Sequence, residues 1–295
     1  MFKNLSTESL GVSGRDSELI ELALSFGFKG IDLNLTDFQE QVRVHGLPRA
    51  RRLLDSAKLK IGTFRLPLVW DDTDEAYQEG LKSLGEQLKL AAEIGATRAV
   101  TTLAPANDAR PYHENFEFHR RRLTEVGEFL APHGIRLGID LNTLAAARKD
   151  RAYQFIYSLD ALAMLARMIR PANVGIVLDP WQIRAGGGSI DDAQKIGGAR
   201  IVAVYLSDAP VDMAPVDLTE EQRLLPGETG TIDSAALLAR LAEWGFDGPV
   251  TPRAHRSRMA GMRRDQVVKL AGQRLDEAWK AAGLTPAGKL LNAKP

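Results

Sequence analysis

A chain of 295 residues, 44% apolar and 26% charged, has the composition of a globular protein that buries a large core, in one domain or two. Its 38 basic and 38 acidic side chains cancel, which argues against a nucleic-acid partner or a membrane surface, and no stretch approaches the roughly 20 apolar residues of a membrane span. With no cysteine there is no disulfide framework, thiolate metal site or thiol nucleophile; the start MFKNLSTESLGV lacks the apolar run of a signal peptide, so a cytoplasmic location is expected.

In chain order, a weak first strand is expected within Phe2–Leu10, followed by a helix over Asp16–Phe26 whose apolar residues share one face. GIDLN (30–34) and KIGTFR (60–65) are the next strand candidates. A helical stretch over Leu81–Ile94 then leads to RAVTTL (98–103). A helix within Glu114–Pro132 precedes RLGIDL (136–141), and one over Leu159–Ile169 precedes VGIVLD (174–179). IVAVYL (201–206), a helix over Ser234–Trp244 and PVTP (249–252) complete the series. VGIVL and IVAVYL are apolar without alternation, as expected of parallel strands covered on both faces. SFGF, EIGA and PHGI each end a helix on glycine just before a strand. Eight such units predict a single-domain α/β fold, a (β/α)8 TIM barrel over residues 1–283, with 284–295 as a loose tail.

The working residues of such a barrel stand at the C-terminal ends of strands and in the loops that follow. Those ends carry Asp32 and Asn34, Arg65, Asp140 and Asn142, Asp179 and Gln182, then Tyr205, Ser207 and Asp208, and finally Arg253 and His255. Asp and Ser at these points also cap helices, so an equally ordinary role is open for Ser207 and Asp208. The long loop DLTEEQRLLPGETG (217–230) is placed to cover the mouth, where Arg223 and Glu228 either close over a ligand or pair with each other. RAHRSRM (253–259) suits a bound anion or the solvated start of a last helix. AGGGS (185–189) lacks the spacing of a nucleotide-binding loop. His45, His113 and His119 have no metal-ligand spacing and are assigned structural or surface roles.

The ordered segments GFKGIDLN, GIRLGIDLN, NVGIVLDPWQI, IVAVYLSDAP, RLLPGETGTID and GFDGPVTPR resemble the xylose-isomerase-like TIM barrels, the broad group of sugar phosphate isomerases and epimerases, over roughly residues 10–283. The resemblance implies one divalent metal, held by Glu, Asp, His and Glu from the fifth to eighth strands, with the glutamates moving protons through an enediolate. At the corresponding positions stand Asp140, Asp179, Tyr205 and Arg253, and Gln182 replaces a histidine. A neutral phenol is a poor ligand, and a guanidinium has no acceptor. Asp140, Asp179 and Arg253 sum to one net negative charge, as do three carboxylates around a divalent ion. The expectation is therefore no cofactor, with manganese or magnesium considered, and Arg253 as a built-in cation.

Two functions fit. One is a sugar or sugar-phosphate isomerase or epimerase working by proton transfer next to a carbonyl. In it Asp140 or Asp179 is the base, Arg253 stabilises the oxyanion and Tyr205 donates a proton. Asn34, Arg65, Asn142, Trp181, Gln182, Asp208, Arg223, Glu228 and His255 are the candidate substrate contacts, Trp181 by stacking on a sugar face. The other is a carbohydrate or sugar-acid binding protein without turnover. In either case the partner is a small sugar derivative, not nucleic acid or membrane, and monomer and homodimer both fit the sequence.

Overall fold

Eight parallel strands close into a barrel: β1 (Phe2–Leu5), β2 (Gly30–Leu33), β3 (Lys60–Arg65), β4 (Arg98–Leu103), β5 (Arg136–Leu141), β6 (Val174–Leu178), β7 (Ile201–Leu206) and β8 (Pro249–Pro252). Each strand pairs with the next in sequence, and β8 returns to β1 through Phe2 opposite Pro249. The computed structural model describes residues 1–291. Every side chain of β7 and β6 is buried, which accounts for their unbroken apolar sequence.

Outside the barrel lie α1 (Asp16–Ser25), α2 (Leu35–His45), α3 (Leu47–Ala57), α4 (Asp74–Glu93) and α5 (Tyr112–Leu130), then α6 (Leu159–Met168), α7 (Pro180–Ala185), α8 (Ser234–Glu243) and α9 (Arg264–Ala281). Their starts are fixed locally. The side chains of Thr73, Ser158 and Asp233 accept from backbone N–H groups in the first turns of α4, α6 and α8. Gly27, Gly95 and Gly134 take φ of 78°, 77° and 67°, the left-handed turn that the three helix-ending glycines predict.

Three features depart from the expected pattern. The connection from β2 to β3 holds two helices, because Gly46 at φ 76° breaks the stretch and Pro48 sits in the first turn of α3. RAHRSRM does not begin the last helix; Arg256–Met259 is a 3-10 turn and α9 starts at Arg264. The expected loose tail is described only to Leu291, and that part folds back. Leu284 bridges Leu290, and Trp279 Nε1 donates to the Thr285 carbonyl at 3.2 Å.

Candidate active site

The C-terminal ends of the strands surround a cavity of about 930 Å³, lined by Asp32, Asn34, Arg65, Asp140, Tyr205, Glu220, Arg223, Arg253 and His255 among others. Its floor is organised by Asp32. One oxygen of that carboxylate accepts from Asn4 Nδ2 (2.7 Å), the Thr63 N–H (2.8 Å) and the Thr63 hydroxyl (2.9 Å). Burial raises the Asp32 carboxyl above its ordinary value despite these donors. Asn4 of β1 reaches Asp32 on the neighbouring strand β2, with room left by Gly62 of β3, where a Cβ would stand 2.1 Å from Asn4 Oδ1.

Asp179 follows β6 and caps α7. Its Oδ1 accepts from the N–H groups of Trp181 (3.0 Å) and Gln182 (3.4 Å), and its Oδ2 accepts from Arg223 Nη1 at 2.7 Å. Both oxygens are thus occupied. Arg223 comes from the loop between β7 and α8, is 2% exposed, and also donates to Ser207 Oγ (3.1 Å) and to both oxygens of Glu220 (3.0 and 3.1 Å). Its guanidinium lies 4.2 Å from the centre of the Trp181 ring. Burial alone would lower the Arg223 pKa, but Asp179 and Glu220 outweigh it and hold it above the ordinary value. Glu220 shows the converse: burial pushes it up, and the Arg223 charge and hydrogen bonds hold it below the ordinary carboxylate value.

Asp140, on β5, is arranged differently. Its Oδ1 is buried with no hydrogen-bond partner, and its Oδ2 is 3.8 Å from Arg253 Nη1. Burial pushes this carboxyl up to about 7; Arg253 opposes the shift and the negative charge of Asp179 adds to it. Arg253 Nη1 is also 3.9 Å from Asp179 Oδ2, and the guanidinium lies over the Tyr205 ring at 4.4 Å. These separations exceed hydrogen-bond length, so Arg253 supplies charge without direct bonds. Burial, then the Asp140 charge, pushes the Tyr205 phenol up, which keeps it protonated.

The cluster therefore brings Asp140, Asp179, Tyr205 and Arg253 together as the strand ends predict. Several expected substrate contacts have other duties. Trp181 is fully buried beneath Arg223, so its ring is not offered to a sugar. Gln182 accepts from the Thr143 N–H at 2.9 Å and donates to Glu220 at 3.2 Å. Asp208 accepts from the N–H groups of Ala209, Thr229, Gly230 and Ile232, so it holds a loop. Asn142 accepts from the Leu144 N–H, and Glu228 from the Leu225 N–H. Arg223 does not pair with Glu228 but with Asp179 and Glu220, which take most of its donors. Asn34 caps α2 through Asp37, and His255 caps the following 3-10 turn, yet both still line the cavity. His119 is buried, and desolvation lowers it to about 4, fitting its structural assignment.

Sequence reading missed Glu220, the carboxylate that shares Arg223 with Asp179. Its signal was the three-residue spacing in EEQR, which places a carboxylate and a guanidinium on one side of a helical turn.

The chain is similar to known proteins along most of its length. An inosose isomerase of Halalkalibacterium halodurans is 22% identical over 83% of this chain and 84% of its own. A 3-dehydroshikimate dehydratase of Pseudomonas aeruginosa is 26% identical over 85% of this chain and 37% of its own. The crystal structure of the IOLI protein with a bound zinc atom superposes with a TM-score of 0.79, at 18% identity, over 96% of this chain and 98% of that one.

The zinc-bound structure corrects the expectation of no cofactor: a protein of the same fold carries a metal, which points to a metal cofactor on this scaffold. The donor set here does not match such a group as it is arranged. Among the described residues no three His, Cys, Asp or Glu side chains are arranged to hold a metal ion, and both Asp179 oxygens already accept from other groups. Among the described residues, no helix is long and apolar enough to cross a membrane. The family described as xylose isomerase-like TIM barrel matches residues 20–277, and the chain belongs to that family.

Proposed function

We propose that this protein is an isomerase-type enzyme that moves a proton next to the carbonyl of a small hydroxylated substrate, with Asp140 as the proton-transferring group. One observation carries the reading. Asp140 is the cavity-lining carboxylate with an unpartnered buried oxygen and a pKa pushed up to about 7, near the value at which a base works best at neutral pH. Asp179 has both oxygens engaged as hydrogen-bond acceptors and a side chain only 1% exposed. Its role is to fix Arg223 and to add negative charge beside Asp140.

In the forward direction the Asp140 carboxylate takes the proton from the carbon next to the carbonyl. The C–H electron pair becomes the C=C bond, and the carbonyl oxygen takes up negative charge. Arg253, at the same end of the barrel and free of direct hydrogen bonds to the carboxylates, is placed to stabilise that oxygen. The Tyr205 phenol stays protonated and lines the same cavity, where it donates a hydrogen bond rather than a proton. The hydroxyl on the carbon that lost its proton passes its own proton to the charged oxygen and becomes the new carbonyl, while the C=C pair takes the proton back from Asp140 at the former carbonyl carbon. A single available base works on one face of the intermediate, which favours a proton shift between adjacent carbons over inversion at one carbon. The names of the inosose isomerase and the dehydratase support a hydroxylated cyclic or open-chain carbonyl compound as substrate.

The reading is tested by incubating the protein in D2O with a panel of aldoses, ketoses and cyclic hydroxy ketones and following deuterium at the carbon next to the carbonyl. Exchange with at least one compound, lost in Asp140→Asn, supports it. Exchange unchanged in that variant, or absent across the panel, contradicts it.

A further inference from the structure

We infer that the substrate of this cavity carries an anionic group, a carboxylate or a phosphate, and that Arg65 is the residue that selects it. The inference rests on the proposed carbonyl chemistry and adds the substrate's charge class.

Arg65 is the last residue of β3, paired in register with Val100 of β4, and both line the cavity that contains Asp140. Its side chain is exposed, and among the described residues it makes no hydrogen bond, ion pair or ring contact. Two of the other arginines that line the cavity face carboxylates, and Arg256, in the 3-10 turn after β8, is a second exposed one. Arg223 is bound to Asp179 and Glu220, and Arg253 lies between Asp140 and Asp179. Two of the carboxylates in the lining are engaged as well: Asp32 accepts from Asn4 and Thr63, and Glu220 is held by Arg223 and Gln182. A guanidinium that never loses its charge, with five donors and no protein acceptor, presents an unfilled fork to whatever enters. Carboxylate and phosphate match that fork bidentately; a neutral hydroxyl fills only one of its arms.

Charge at the reacting centre adds a second reason. Proton transfer moves negative charge from Asp140 onto the substrate, close to Asp179, and a substrate that is already an anion adds to that repulsion. Arg65, on a different strand from Arg253, offsets the substrate's own charge at a distance from the reacting oxygen. Arg253 is then left to the charge that develops during the reaction.

Calorimetric titration separates this from the proposed reaction, because binding is read without turnover. D-Glucose is the neutral probe, D-glucuronate the carboxylate, D-glucose 6-phosphate the phosphate and inorganic phosphate the bare anion. Each is titrated into the native protein, Arg65→Ala, Arg65→Lys and Asp140→Asn. The expected result is that at least one anionic sugar binds the native protein at least about tenfold more tightly than glucose. Arg65→Ala loses that preference, Arg65→Lys restores part of it, and Asp140→Asn keeps it. Which sugar is preferred tells carboxylate from phosphate. Equal affinities for neutral and anionic sugars, a preference that survives in Arg65→Ala, or binding of inorganic phosphate alone overturns the inference. Persistence of the preference in Asp140→Asn keeps the inference standing even if no deuterium exchange is found.

Discussion

Two aspartates on neighbouring strands, Asp140 and Asp179, meet different surroundings and so acquire different chemistry. Asp179 receives two backbone N–H groups and a buried guanidinium, whereas Asp140 keeps an oxygen without any donor. The sequence shows both at strand ends. It does not show which is saturated, because the saturating Arg223 lies 44 residues further along the chain. The difference sets a pH dependence. The base must be ionised, so kcat/KM should rise with pH through about 7 and level off above it, and Asp140→Asn should lower turnover at least about 100-fold across that range. Stability runs the other way. The folded value lies above the ordinary 3.8, so the contribution of Asp140 is fully present below that pH and is lost as pH rises through about 7. In denaturant titrations Asp140→Asn should lie closest to the native protein at about pH 4 and become progressively more stable than it up to about pH 8. A variant equally destabilised at both values would contradict this account of the shift.

At the scale of elements, the loop between β7 and α8 is part of the site as well as its cover. It delivers Arg223 and Glu220 beneath the mouth, and Asp208 pins its far end by accepting the N–H groups of Thr229, Gly230 and Ile232. Length and polarity of 217–230 indicate a covering loop; they do not reveal that its arginine is buried like a core residue, at 2% exposure. Sequence reasoning assigned the stabilising cation to Arg253. The geometry gives the larger share to Arg223, whose contact with Asp179 is 2.7 Å against 3.9 Å for Arg253. Arg223→Ala leaves Asp179 buried without its bonded cation and should cost about 3–5 kcal/mol in urea unfolding. Arg253→Ala removes a guanidinium that is 26% exposed and makes no direct hydrogen bond to the carboxylates, so it should cost less than about 1 kcal/mol while depressing turnover. The reverse ranking would return the structural role to Arg253. Asp208→Ala should speed amide exchange at Thr229, Gly230 and Ile232 well before the barrel strands open. Uniform exchange across the molecule would deny the loop its separate anchor.

For the molecule as a whole, the barrel was legible because its rules are local and repeated. Apolar runs such as VGIVL and IVAVYL mark strands covered on both sides, and the glycines after α1, α4 and α5 mark where helices stop. The division of 35–57 into α2 and α3 was not legible, since it turns on one glycine conformation inside a polar stretch of helical composition. Which strand-end side chains reach the cavity was also hidden. Trp181 looks suited to sugar stacking until the closed structure places it under Arg223, and Gln182 looks like a ligand contact until Thr143 occupies it.

The central claim is that closing the barrel leaves Asp140 as the carboxylate that exchanges a proton near neutrality while its neighbours remain tied. Carbon-13 labelling of the aspartate carboxyls, with the Asp140 signal assigned by its loss in Asp140→Asn, reads this directly. The account predicts that this signal titrates with an apparent midpoint close to 7 and that the midpoint moves down when Asp179→Asn removes the neighbouring negative charge. An Asp140 signal that titrates near the ordinary 3.8, unmoved by Asp179→Asn, would contradict it.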